Sequence, residues 1–439
     1  MDERFRGFAL ATLATWAVAC VAEQPEDQSA SRPDAAEDVM TEQPARDAAA
    51  PHARDAGRGV VDAGKHAPPA ADGGEDIVTT AYECPADEDA GHDGSAEWPC
   101  AEPGGALEAC VADAFACAPS GYGSVAVATD GTHIALLSVT RDAQAIFARF
   151  DHALRPLGMV SFPLDTGGYS FDGPLLAAHP GGWLLAYEAG LSGLHVLDIS
   201  ASGTRVRTIG TLDNGLPIRF AERPDGTPLL LVMRTISIDE ARAFALAIAD
   251  DLSSFSAITD LGEVSVRDGA FTGSGYLAVM DSQGPTSQTS LQRLALDGTP
   301  VGDAVVHGTN LHRFGLVAGD ESTHFFYSSY SPQLQQGFVA TVADDGTGIG
   351  EPRPLDPALN SEQGDSVLAW DGEHVMLQRD AAARLLRIDA AQQVTTLATL
   401  TAETDGIPIA LVRAGDRAIA VIASQASAHH AITLAAVRP

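Results

Sequence analysis

From about residue 124 onward, short apolar runs alternate with turn signals, and the alternation repeats. The clearest unit lies between Ser124 and Leu164. A first run closes on Ala128-Thr129-Asp130-Gly131. A second, nearly unbroken run starts at Thr132; a polar loop, a third run and a weaker fourth run follow. Copies of the second run begin near Gly182, Thr227, Gly275, Ser322, Glu373 and Arg417. The spacing, about 44–51 residues, is that of propeller blades.

Within each copy the residues predict strands. Asp-Gly between the first two runs, as in Arg223-Pro224-Asp225-Gly226 and Trp370-Asp371-Gly372, suits a tight hairpin, because Gly accepts positive φ and Asp tolerates it. The third run alternates, as in Ile146-Phe147-Ala148-Arg149-Phe150-Asp151 and Leu385-Leu386-Arg387-Ile388-Asp389. That period of two marks a half-buried strand. The fourth run is legible at Met159–Leu164, Val206–Leu212, Val301–Val306 and Val394–Leu400, and weak in copies three and five.

A lone four-stranded unit cannot bury both faces, but a circle of such units can. The predicted fold is all-β: a seven-bladed β-propeller of four-stranded antiparallel blades over residues 120–439. Six or eight blades, or an open sandwich, are the alternatives. The seventh copy, from Gly406, stops after its third run. Its missing strand must come from elsewhere, and the chain just before the first copy, residues 107–119, is the expected donor.

Ahead of the propeller the pattern changes. Residues 1–19 read as a signal peptide: Arg4 and Arg6 precede an apolar stretch, Phe8 to Ala19, too short to span a bilayer. It ends in Ala17-Val18-Ala19-Cys20, which resembles a bacterial lipobox with Cys20 as the lipidated residue; the same residues satisfy the rule for ordinary secretion. Residues 20–80 carry that Cys and an Ala/Asp/Pro-rich linker with no hydrophobic period, expected to be disordered. Residues 81–119 form a small Cys-rich segment. With Cys20 set aside, Cys84, Cys100, Cys110 and Cys117 remain, an even number that predicts two disulfides of open connectivity.

The formal net charge is −33, and both the leader region and the repeats are acidic. That sign repels phosphate, so no nucleic-acid partner is expected, and membrane contact would come only through a lipid anchor. The expected location is the outer membrane as a lipoprotein, facing periplasm or exterior, with secretion as the alternative. A monomer is expected.

Chemistry is sparse. G-x-S-x-G, H-E-x-x-H and P-loop motifs are absent, so no catalytic residue, cofactor or metal is assigned. His133, His324 and His374 hold one repeat position, filled by Trp183 and Tyr276 in other copies. Symmetry should spread them round the ring as packing residues. The loops joining second to third strands differ between copies, and Arg141, Glu188, Arg234, Asp281, Tyr330, Arg379 and Gln425 lie at their bases as the candidate ligand face.

Val127-Ala128-Thr129-Asp130-Gly131-Thr132-His133 and Leu368-Ala369-Trp370-Asp371-Gly372-Glu373-His374 resemble the repeats of exported propeller proteins of myxobacteria and related Gram-negative bacteria, and at longer range the TolB-type propeller. The resemblance spans residues 121–439 and is degenerate in copies two, three and seven. It implies a fold and an exported location, and no activity. The expected function is therefore an exported binding or scaffold module for a protein or glycan, with a carbohydrate-active enzyme (hydrolase or lyase) using axial carboxylates as the alternative.

Overall fold

The computed structural model describes residues 76–81, 107–111 and 125–439, the last without loop residues 141–142, 166–172, 191–192, 238–239, 284–286, 310, 320–321, 332–333, 344–345, 347, 356–365, 380–382, 401–405 and 425–431. Seven antiparallel sheets form a ring, and no helix occurs among the described residues: the protein is a seven-bladed β-propeller. The inner strands, in ring order, are Val125–Thr129, Leu175–His179, Gly215–Ala221, Val264–Phe271, Leu311–Ala318, Ser366–Trp370 and Gly406–Ala414. Each neighbours the next, and the last returns to the first.

The second strands explain why their sequence runs apolar without alternation. Both faces of each blade are covered, so odd and even residues are both buried. In blade one, Ala135, Leu137 and Val139 pack with Trp183, Leu185 and Tyr187 of blade two. The alternate residues Ile134 and Leu136 pack with Ile419 and Val421 of blade seven. The same division continues round the ring: Leu230 lies with Leu184, Leu229 with Tyr276, Leu277 with Phe325, Phe326 with Met376, and Val375 with Ala418. The core is thus seven inter-blade clusters with no central mass.

Of the Asp-Gly turns, Asp371-Gly372 forms the tight hairpin expected, whereas Asp225-Gly226 lies in a longer connection whose flanking pair is Ala221 with Leu229. Trp370 pairs with Glu373 across Asp371 and Gly372, whose φ values are 46° and 82°. Positive φ at both central residues is the turn whose twist matches a β-hairpin.

Blade seven is closed by Leu107–Val111, antiparallel to Ile432–Val437, with Cys110 opposite Ala435. This is the strand the incomplete seventh copy needs. The outer strands of blades three and five, weak in the sequence, differ sharply: Phe255–Gly262 is a full strand, whereas Arg353–Pro354 has two residues. In blade four the outer strand is Val305–Thr309, so it starts after the Val301 expected from the sequence.

Two short strands occur at the end of the stretch read as linker. Asp76–Ile77 pairs with Val206 and Arg207 on the outer edge of blade two, and Thr80–Ala81 pairs with Val160 and Ser161 on that of blade one. Thr79 Oγ1 donates to the Thr204 carbonyl at 2.9 Å. Two-residue strands leave no periodicity to detect, and their pairing partners are supplied by a distant part of the chain.

Candidate ligand site at the propeller axis

A cavity of about 1130 Å³ runs along the axis, lined by inner strands of all seven blades. It reaches the end of the ring where the inner and second strands are joined by turns, including Asp371-Gly372.

Bulges shape its wall. The inner strands of blades three, four, five and seven each slip register by one residue, between Pro217 and Arg219, Val266 and Asp268, Arg313 and Gly315, and Pro408 and Ala410. A bulge re-aims the side chains that follow it. Three of the residues just after these bulges meet. Arg219 Nε lies 3.3 Å from Asp268 Oδ1. Asp268 Oδ2 accepts from Leu316 N–H at 2.7 Å, and Oδ1 accepts from Gly269 N–H at 2.8 Å. A Cβ on Gly315 would stand 2.6 Å from Asp268 Oδ2. Glycine there leaves room for the carboxylate to reach the next blade. One carboxylate therefore ties blades three, four and five.

Glu222 extends the array backwards, accepting from Ala178 N–H of blade two, with Arg219 close enough to stabilise its charge. The side chain is open to the cavity, yet protein surrounds it. Desolvation by that surround outweighs Arg219 and the Ala178 bond, and raises the carboxyl above its ordinary range.

Between blades five and six the wall carries imidazoles. His324 and His374 touch edge to face, with ring centres 4.6 Å apart. Their repeat positions are equivalent, so they were expected to stand apart round the ring. Adjacent blades pack closely enough here to bring equivalent rings into contact, and His374 also lies 4.9 Å from Phe326. His324 Nε2 is hydrogen-bonded to Ser322 Oγ at 2.7 Å. Desolvation lowers the pKa of both imidazoles; proximity to His324 adds to the effect at His374, which falls to about 4. Glu373 is paired with Arg387, and Arg413 with Asp371 at 3.0 Å while lying over the Trp370 ring at 4.4 Å.

Five of the seven loop-base residues read from sequence fall within the described strands. Glu188 ends the second strand of blade two, and Arg234 lies in that of blade three; both are half-buried. Asp281 is buried in blade four, accepts from Thr289 Oγ1 at 2.9 Å and lies 3.4 Å from Arg267 Nε. Tyr330 and Arg379 belong to the second strands of blades five and six, with side chains outside the described residues. Arg141 and Gln425 lie outside them altogether, as do Cys20, Cys84, Cys100 and Cys117. Among the described residues that line the axial cavity, Glu188, Arg234 and Asp281 do not occur. Arg219, Glu222 and Asp268, which do, were missed. Gly269 and Gly315 inside apolar strands were the available signal, since an interior strand glycine marks a bulge or close approach. No group of three His, Cys, Asp or Glu with metal-binding geometry occurs among the described residues.

No protein-family profile matches the chain, and no curated protein matches it. Solved structures do. The polysaccharide lyase Uly1 superposes with TM-score 0.54 at 8% identity, over 76% of this chain and 99% of its own. An ulvan lyase described as a new polysaccharide-lyase family gives 0.52 at 9% identity, over 76% and 94%. The β-propeller domain of the Trilobed protease from Pyrococcus furiosus gives 0.45 at 8%, over 71% and 93%. At such identities the likeness is one of fold.

Proposed function

We propose that this protein is an exported binding propeller that takes a glycan or protein ligand into the axial cavity. The observation that carries the proposal is the cavity itself: about 1130 Å³, walled by every blade and set by bulges that fix its polar groups. Pockets of this size, mostly preformed with a few placed polar groups, are the usual form of a ligand site. Asp268 in its wall is engaged as an inter-blade tie, by Leu316 N–H of blade five and Arg219 of blade three, which favours binding over catalysis.

Export and lipid anchoring at Cys20 belong to the same proposal. They are supported by Arg4, Arg6, the apolar stretch to Ala19, and the resemblance of the repeats to exported propellers. A mass spectrum of the native N-terminus showing acylated Cys20 is the expected result; a chain cleaved without acylation supports secretion instead.

A second reading, a carbohydrate-active enzyme, is favoured by one feature: desolvation raises the Glu222 carboxyl, which shares Arg219 with Asp268, and a carboxyl raised in this way suits general-acid work. Two of the similar folds are polysaccharide lyases. The test is a glycan and envelope-protein panel with binding and turnover scored separately, on the purified protein and on Ala318→Trp, which fills the cavity from the inner strand of blade five. Binding without turnover, lost in Ala318→Trp, is expected. Turnover abolished by Glu222→Gln would replace the binding reading by the enzymatic one.

A further inference from the structure

Among the described residues, the acids that line the axial cavity are matched by guanidinium groups, with one exception. Asp268 lies 3.3 Å from Arg219 and Asp371 lies 3.0 Å from Arg413. Glu373 is paired with Arg387, and the exposed Glu351 shares the wall with the exposed Arg353. Glu222 is the exception. The one cation that acts on it is Arg219, which is already engaged by Asp268.

Glu222 is also accessible. It follows Ala221 at the end of the inner strand of blade three, lines the cavity and is exposed, although protein surrounds it, so its exposed surface lies in the cavity. Its carboxyl accepts from Ala178 N–H of blade two. Two apolar side chains line the cavity at the same end of neighbouring blades: Pro224, exposed, and Phe271, half-buried and last in the inner strand of blade four.

We infer that Glu222 anchors the ammonium group of a lysine side chain from a protein ligand, inserted at this end of the cavity with its aliphatic stem against Pro224 and Phe271. This rests on the binding reading above and names the ligand chemistry for it. With Glu222 ionised, the cavity holds one negative charge in surplus, and the chain as a whole, at −33, draws cationic partners. Desolvation raises the Glu222 carboxyl, so its charge is costly alone and an arriving ammonium relieves that cost. An ammonium is a point charge that can bond a single oxygen, whereas a guanidinium fork wants both, and Ala178 already competes for them. A divalent metal needs several ligands, and no group of three occurs among the described residues. An amino sugar brings ring hydroxyls that Pro224 and Phe271 cannot bond.

The test is isothermal titration calorimetry on the full-length protein. The probe is Nα-acetyl-lysine amide, with the norleucine and arginine analogues and glucosamine as comparison arms. The lysine analogue should bind, the arginine analogue more weakly, and the norleucine analogue, which keeps the stem without the charge, not at all. Glu222→Gln should weaken lysine binding about ten- to hundredfold, the worth of one charged hydrogen bond. Glu351→Gln removes an exposed charge offset by Arg353 and should change it less than about twofold. Affinity in the unaltered protein should rise from about pH 5 to about pH 8 as the raised carboxyl ionises, a reading that stands even if Glu222→Gln does not fold. Overturning results are a norleucine analogue that binds equally, equal losses in the two glutamate variants, an affinity indifferent to pH, or glucosamine bound where the lysine analogue is not. If the panel shows binding that Ala318→Trp abolishes while the lysine analogue does not bind, the lysine site fails and the axial reading stands. If the lysine analogue binds through Glu222 and Ala318→Trp has no effect on the panel, the axial reading fails and the lysine site stands.

Discussion

Asp268→Asn tests whether one carboxylate holds three blades together at the axis. The carboxylate accepts from Leu316 N–H and Gly269 N–H on different oxygens, and its side chain is 16% exposed. An amide offers one oxygen, so one backbone N–H would face an N–H₂ group. The loss is one charge-assisted bond plus a buried donor left unpaired, about 2–3 kcal/mol. The Arg219 pair adds little, because Arg219 is 54% exposed and water screens it. With an unfolding entropy near 2.1 cal/mol/K per residue, a ring of roughly 320 residues converts this to a fall in Tm of about 3–4 °C. Differential scanning calorimetry at neutral pH measures it. Gly315→Ala places a methyl against Asp268 Oδ2, so the two substitutions should be non-additive. An unchanged Tm in Asp268→Asn, or simple additivity with Gly315→Ala, would refute the tie.

His374 makes stability depend on pH. Its folded pKa, about 4, lies below the ordinary 6.5, so between those values the unfolded chain binds the extra proton and stability falls as pH falls. The contribution is full above pH 6.5 and reaches a loss of about 3 kcal/mol near pH 4. In His374→Phe the urea midpoint should change less steeply over that window, and an identical slope would count against the burial. Leu137→Ala, in the interface of blades one and two, should cost about 2–5 kcal/mol, while Leu157→Ala, 43% exposed, should stay within about 0.5 kcal/mol. Deleting residues up to Val111 strips the outer strand of blade seven and bares Ile432–Val437 as an open edge. Self-association in size-exclusion chromatography is the expected outcome, and a monomer of unaltered Tm would contradict it.

The ring was legible because its determinants are local. Asp371-Gly372 announces a hairpin by backbone conformation alone, and runs such as Trp183–Tyr187 announce strands covered on both faces. The incomplete seventh copy even implied a borrowed strand, because an open edge is a deficit visible in the chain. The axial site was not legible in this way. Arg219, Asp268 and Gly315 come from three blades, and each reaches the axis only because a bulge shifts its strand by one residue. A period-two reading places such residues on the wrong face. The contact of His324 with His374 depends on the distance between adjacent blades, which no spacing within one repeat encodes.

The two short strands at Asp76–Ile77 and Thr80–Ala81 also decide how the ring answers tension. Each lies on a blade's outer edge by a two-residue pairing, so a pull from the residues before them opens bonds one at a time, as a zipper parts. They yield before the load reaches Leu107–Val111, whose longer pairing closes the circle. A tug on the leading segment is spent at the rim, and the strand whose loss would open the propeller is spared until both fastenings have come away.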